Sequence, residues 1–282
     1  MPELPEVHTT VEGLKTVIIG KTIESVWSDF HLKTAHRGRE TIKNKKYFDE
    51  FKKKVIGAKI ISVERRGKNI LINLNNKFTI VVHMKMTGHL MYGATDPYVH
   101  LIFKLKNSKD LVLSDMRKFA SVTIHKKSEL DLGLGIDALD PKFKAKELFE
   151  IIHKKGKMPI KSALLDQSAL AGIGNIYSDE ILWEVGIHPL SPAGAVPEKK
   201  FAEIFKVMQK ILRFSIKHGG DSKSDYRNAF GGKGNFQNFH QAYGRRKEKC
   251  PKKRCPGIIE RIVVKGRSAH FCPIHQKMYE RK

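Results

Sequence analysis

The sequence predicts an α+β multidomain protein: an N-terminal helix with a β-sandwich, then a helical region, then a zinc-binding β-hairpin. Three observations predict it. Apolar residues recur at helical spacing at the start and again beyond residue 143, whereas the stretch between is β-branched and often alternating. A segment rich in Gly and Asp, DLGLGIDALDP (131–141), separates the two patterns. All three cysteines fall in the tail, beside a histidine at ligand spacing. The boundaries drawn are 1–130 for the sandwich, 131–143 for a linker, 144–245 for the helical part and 246–282 for the hairpin.

In chain order, Leu4, Val7, Val11, Leu14, Val17 and Ile18 form one stripe of a helix over 4–18, which Gly20 ends. This is the only helix expected in the first part. The runs TIESVWSDF, AKIISVERRG, NILINLNNKFTIVVHM, HLIFKLK, DLVLSD and FASVTIH read as strands, punctuated by Asn-Asn, Gly and Asn-Ser. Beyond the linker, KAKELFEIIHKKG, KSALLDQSALAG, NIYSDEILWEVG and PEKKFAEIFKVMQKILRFSIKHGG read as helices, with glycines where C-caps are expected. The tail reads as two short strands between metal-ligand candidates.

The chain has 282 residues, 53 Lys and Arg against 29 Asp and Glu, and a net charge of +24. Such an excess favours polyanions, nucleic acid or an acidic membrane surface. No apolar run approaches the roughly 18 residues of a spanning helix, and no secretory or lipidation signal is present, so nucleic acid is the expected partner and the membrane is not. The excess is steepest in the tail, where Arg245–Lys282 holds 13 Lys and Arg against three Glu. Three cysteines are too few for a disulfide framework, and a reducing, cytoplasmic location is expected. A monomer is expected, with one structural zinc ion and no organic cofactor.

Five constellations carry chemistry. Cys250 and Cys255 are separated by four residues, Cys272 and His275 by two, and the pairs by sixteen. Two close pairs of soft ligands flanking a hairpin build a tetrahedral zinc site, whose binding energy folds a piece too small for a core of its own. In ALAGIGNIYSDEILWEVGIHP, helix, Gly turn and second helix make a helix-turn-helix-like layout, with Asn175 starting the second helix. That N-terminus can hold a phosphate, or Asn175 can simply cap an αα-hairpin. Lys68 follows a glycine in RRGK, where a solvated lysine is the plainer reading; Met86 in KMTG reads as core. Arg117 and Phe119 in SDMRKF share a face if they lie on a strand, as a pair that enters a DNA stack or as a surface pair. Finally, removal of Met1 leaves Pro2 with a secondary amine of pKa about 8. Such an amine can attack a sugar C1′ and form an iminium, with Glu3 as acid and base. Equally, Pro2 and Glu3 can do no more than start the helix.

Taken in order, MPELPEV, RRGK, MKMTG, SDMRKF, GIGNIYSDE, YGRR and the hairpin with GRSAHFC resemble the formamidopyrimidine-DNA glycosylase and endonuclease VIII family over essentially the whole chain. Leu4 and the R-x-F pair resemble the formamidopyrimidine branch. The resemblance implies a helix–two-turn–helix motif around Asn175 and a bifunctional glycosylase and abasic-site lyase acting on oxidised purines in duplex DNA. It implies Pro2 as nucleophile, Glu3 as proton donor and acceptor, and Glu6 as support. Lys68 is implied to bind phosphate and assist β-elimination, and Arg267 to grip the flanking phosphates and assist δ-elimination. Asn175 is implied at the same phosphates, with His83 and Lys157 as helpers. Met86, Arg117 and Phe119 match the trio that fills the gap left by a flipped base, and YRNAFGGKGNFQNFHQAYGRR, with Tyr243, resembles the loop over that base.

Three features depart from the family pattern. The usual two CxxC pairs are replaced by a wider first pair and a final His275. Tyr98 stands where a DNA-contacting histidine is usual, with His100 two residues on, and either can make that contact. The base-covering loop has its own sequence, AFGGKGNF. The alternatives are an endonuclease VIII-like enzyme for oxidised pyrimidines, an inactive zinc-finger protein that binds damaged DNA, and a zinc-ribbon RNA- or ribosome-associated protein. The last leaves the N-terminus unexplained.

Overall fold

The computed structural model describes residues 1–30 and 41–280. Arg281 and Lys282, the end of the segment drawn as 246–282, lie outside the described residues. The chain divides into two compact units, Met1–Leu132 with His218–Asn235, and Gly133–Lys217 with Phe236–Lys282.

The first unit opens with helix α1 (Leu4–Ile18), whose buried stripe includes Leu4, Val7, Val11, Leu14 and Ile18. Strand β1 (Ile23–Ser28) follows, then a helix the sequence reading misses, α2 (Lys45–Val55). Its cap is local: the Asn44 side chain accepts the Tyr47 N–H at 3.1 Å. Its buried residues are only Phe48, Phe51 and Val55, and five lysines mask that narrow stripe. Strands β2 (Ile60–Arg66), β3 (Asn69–Leu74), β4 (Phe78–His83), β5 (Gly88–Tyr92), β6 (Val99–Leu105), β7 (Leu111–Asp115) and β8 (Ser121–Lys126) complete two antiparallel sheets. Their orders are β1-β6-β7-β5 and β2-β3-β4-β8. Leu101, Phe103 and Leu113 from one sheet join Val63, Ile72 and Val82 from the other, with α1 and α2, in one core. This is the expected sandwich.

Residues 218–235 also belong to this unit, although the boundary drawn from sequence runs the helical part to 245. The Ala229 carbonyl accepts the Tyr92 N–H at 2.7 Å, and the Ala229 side chain enters the core.

In the second unit, β9 (Ile136–Asp137) precedes α3 (Ala145–His153) and α4 (Ile160–Leu165). Then come β10 (Leu170–Ala171), α5 (Asn175–Val185) and α6 (Glu198–Lys217). KSALLDQSALAG is not one helix. Asp166 turns the chain by accepting the Ser168 N–H and hydroxyl at 3.0 and 2.6 Å, and Leu170–Ala171 pairs in parallel with β9. That approach needs Gly135, where a Cβ would lie 2.1 Å from the Ala169 carbonyl oxygen. Helix α5 is buried almost all round, Asp179 and Glu180 included, and ends at Gly186 in the left-handed conformation, φ 71°. Strands β11 (Glu260–Val264) and β12 (Arg267–Phe271) form the expected hairpin around Lys265 and Gly266, both at positive φ. Among the described residues, no helix is long and apolar enough to cross a membrane.

Phe51 is fully buried, with its ring centroid 6.3 Å from that of Phe48 and 6.2 Å from that of Phe103. Phe51→Ala is expected to cost about 3–5 kcal/mol, read as a lowered denaturation midpoint. A change under about 1 kcal/mol would contradict α2 as a core element.

Candidate active site and metal cluster

A chain terminus is ordinarily frayed, but here it is pinned. Pro2, Glu3 and Glu6 are buried. Glu3 is the N-cap of α1 and forms a reciprocal capping box with Glu6; the Glu3 N–H donates to Glu6 Oε2 at 2.8 Å. The second oxygen, Oε1, accepts the Asp221 N–H at 2.8 Å. One carboxylate thus ties the terminus to the returning segment. Gly220 makes the approach possible: its φ is +83°, and a Cβ there would lie 2.9 Å from Glu6 Oε1. The Tyr226 hydroxyl donates to the Glu6 carbonyl at 2.8 Å, and burial raises its phenol pKa well above the ordinary value.

Lys68 lies in the β2–β3 turn after Gly67 (φ 56°) and is only 5% exposed, against the solvated reading. The next residue, Asn69, pairs with His83 across β3 and β4. Burial, then the charges of Lys85 and Lys68, push the His83 imidazole down to about 3. Its Nδ1 accepts the Lys85 N–H at 3.0 Å, which leaves the neutral ring's proton on Nε2.

Met86 is not core: it is 38% exposed, in the β4–β5 turn. Arg117 and Phe119 do not lie on a strand. They occupy the β7–β8 turn, where Lys118 takes φ 54°, and the guanidinium carbon sits 4.6 Å from the ring centroid. Tyr98 is exposed, whereas His100 is drawn down by Asp29, Nδ1 to Oδ1 2.8 Å.

In the second unit, Asn175 begins α5, and its amide donates to Ser268 Oγ at 3.1 Å. Arg267 is exposed at the start of β12, and Lys157 is exposed between α3 and α4. The Tyr243 N–H donates to Glu180 at 2.7 Å, and its ring meets His270 edge-on at 5.1 Å.

Cys250, Cys255, Cys272 and His275 converge, with ligand atoms within 4.8 Å of one another. The Nε2 of His275 lies 2.8 Å from the Trp183 carbonyl, so Nε2–H donates and Nδ1 turns to the thiols, 3.4 Å from Cys250 Sγ. Burial pushes the Cys272 thiol up to about 11, so uptake of a cation there would displace a proton. Three sulfurs and one oriented imidazole fit a metal ion.

The family model for the formamidopyrimidine-DNA glycosylase N-terminal domain matches residues 1–122, and that for its H2TH domain matches residues 134–227. A formamidopyrimidine-DNA glycosylase of Herpetosiphon aurantiacus is 37% identical, covering 98% of this chain and 100% of its own. The chain belongs to the formamidopyrimidine-DNA glycosylase family. Another relative, from Lactiplantibacillus plantarum, is 36% identical over 99% of this chain and all of its own. Among solved structures, the Lactococcus lactis Fpg in complex with abasic-site DNA superposes with TM-score 0.85 at 31% identity, covering 98% of this chain and 99% of its own. MutM (Fpg) from Thermus thermophilus has the same TM-score at 30% identity, covering 99% and 100%.

Beside the expected residues, this formamidopyrimidine-DNA glycosylase family member has buried charges that the sequence reading missed. Glu180 accepts three consecutive N–H groups, from Gln241, Ala242 and Tyr243, although burial raises its pKa. Lys161 and Asp179, both buried, form an ion pair, and Asp179 also accepts the His270 N–H at 2.9 Å. The signal for these residues was weak: charged letters inside otherwise apolar helical stretches.

The His83 pKa sets a pH expectation. A histidine held near 3 in the fold and near about 6.5 unfolded stabilises fully above 6.5, and the contribution is lost as pH falls toward 3. An NMR titration should therefore show no His83 inflection between pH of about 5 and 8; a midpoint near 6.5 would refute the half-buried, neutral ring.

Proposed function

We propose that this protein is a bifunctional glycosylase and abasic-site lyase of base excision repair, acting in the cytoplasm on oxidised purines such as 8-oxoguanine and formamidopyrimidines. The observation that supports it most is the fixed N-terminus, where Glu6 holds Glu3 against Asp221 beside a buried Pro2. With Met1 removed, Pro2 presents a secondary amine. Its attack on C1′ expels the oxidised base and gives up the amine proton; the C1′–O4′ bond then breaks, O4′ leaves with a proton, and the remaining iminium is cationic without further protonation. Glu3 would supply and accept these protons at the sugar.

A base inside a duplex shields C1′ from such an amine, so the nucleotide must be extruded, at a cost of a few kcal/mol. Met86, Arg117 and Phe119, exposed on two turns, would fill the gap. Lys68 would bind phosphate and assist β-elimination; Arg267 would grip the flanking phosphates and assist δ-elimination. Asn175, at the N-terminus of α5, would meet the same phosphates. His83 and Lys157 would help, His83 as a neutral Nε2–H donor and not as a cation. Tyr98 is the better candidate for the nearby DNA contact, because Asp29 already engages His100. Tyr243 would take part in DNA binding near the flipped base. The three cysteines and His275 would hold one structural zinc ion, a role that suits thiolate and imidazole donors.

The test is borohydride trapping on duplexes carrying 8-oxoguanine, an oxidised pyrimidine or an abasic site. An adduct mapped to Pro2 with the 8-oxoguanine duplex is the expected result. A stronger adduct with the oxidised pyrimidine would favour endonuclease VIII-like specificity. Tight binding without any adduct would replace the enzyme reading with an inactive DNA-binding protein. Trapping that persists with an uncleaved N-terminal tag would remove Pro2 as nucleophile. Metal analysis should find about one zinc per chain, and a chelator should abolish DNA binding; folded, metal-free protein that still binds would overturn the zinc assignment.

A further inference from the structure

We propose that Asp115 is a positioning residue that couples the two turns bearing Met86, Arg117 and Phe119, so that these side chains enter a duplex as one rigid wedge. The inference rests on the reading of that trio as the gap-filling group.

The two turns have no ladder between them. One crosses from β4 in one sheet to β5 in the other; the second crosses back from β7 to β8. Pairing stops at His83 with Ser121 on one side and at Gly88 with Asp115 on the other. Residues 84–87 and 116–120 therefore span the gap side by side without backbone pairing across it. Each also contains a non-glycine residue in the left-handed region, Lys85 at φ 56° and Lys118 at φ 54°. Turns of this kind are held only by what surrounds them.

Asp115 supplies the missing link. It is fully buried, and its carboxylate collects donors from both turns. Oδ1 accepts the Thr87 hydroxyl at 2.5 Å and the Arg117 N–H at 3.2 Å, and Oδ2 accepts the Ala120 N–H at 2.6 Å. Thr87 follows Met86 directly, while Arg117 and Ala120 bracket Phe119. The Thr87 oxygen in turn accepts the Arg117 N–H at 3.2 Å, closing a triangle. On the far side, Lys43 donates to the Lys118 carbonyl at 2.8 Å, and Lys118 donates to Asp29 at 2.9 Å. A wedge ordered before it meets DNA loses less freedom on insertion, and a buried acceptor with charge-assisted bonds is suited to that ordering.

Thr87→Val tests the coupling, since it removes one hydroxyl and leaves both N–H bonds to Asp115 in place. Two substrates separate wedge function from general damage: a duplex carrying 8-oxoguanine, and a single-stranded abasic oligonucleotide, which has no base to extrude and no gap to fill. The variant should excise from the duplex about tenfold more slowly, the effect of losing one hydrogen bond to a carboxylate. Borohydride trapping on the single strand should stay close to the parent protein. Asp115→Asn should show the same pattern more strongly, and Phe119→Ala combined with Thr87→Val should be slowed by less than the product of the two single effects. Equal losses on both substrates, or full duplex activity in Thr87→Val beside a slowed Phe119→Ala, would overturn the coupling. Full duplex activity in Phe119→Ala would overturn the wedge reading itself, and the coupling with it.

Discussion

The carboxylate of Glu6 receives two backbone N–H groups from positions far apart in the chain, Glu3 and Asp221, each at 2.8 Å. Everything proposed for the terminus depends on that bridge. A nucleophilic amine accelerates a reaction only if it is held where the reacting atom will be, and a terminus has chain on one side only to hold it. Helix α1 supplies direction through its capping box; the segment 218–235 supplies anchorage through Asp221 and Tyr226. A hydrogen bond to a charged group contributes about 1.5–3 kcal/mol, so two of them outweigh the ordinary fraying of a first turn.

The residues assigned to chemistry are divided between the two units: Pro2, Glu3 and Lys68 in the first, Asn175 and Arg267 in the second. In the proposed reading each unit therefore contributes groups that act on DNA. A net charge of +24 supplies affinity without sequence preference, which suits a protein whose target is a chemical change in one base. In the proposed reading, specificity falls to the wedge and the loop over the base, segments held by a few named bonds and not by a ladder.

Much of this was legible in the sequence, for identifiable reasons. Helix α1 was readable because its stripe keeps helical period from Leu4 to Ile18; the hairpin was readable because soft ligands at fixed spacing have few other uses. Helix α2 was hidden because lysines filled the rest of its surface. The Asp166 turn was hidden because Ala and Leu around it favour a helix, while a side-chain hydrogen bond stopped it locally. Arg117 and Phe119 were paired correctly and placed wrongly: residues two apart meet on a strand, but also across a turn that a left-handed Lys118 closes. Asp115 and Glu180 were invisible as positioning groups because their partners are backbone N–H groups, which carry no letter.

That last class follows a common physical rule. Glu6, Asp115 and Glu180 are each buried, and each collects N–H groups from an irregular segment that strand or helix pairing leaves unsatisfied. A buried N–H without a partner is costly. An ionised carboxylate offers about four acceptor sites and no donor, so it serves two or three such groups where an amide would set its own N–H against one of them. Acidic residues are scarce here, 29 against 53 basic ones, and these three are spent inside the fold, on segments whose shape the proposed chemistry needs.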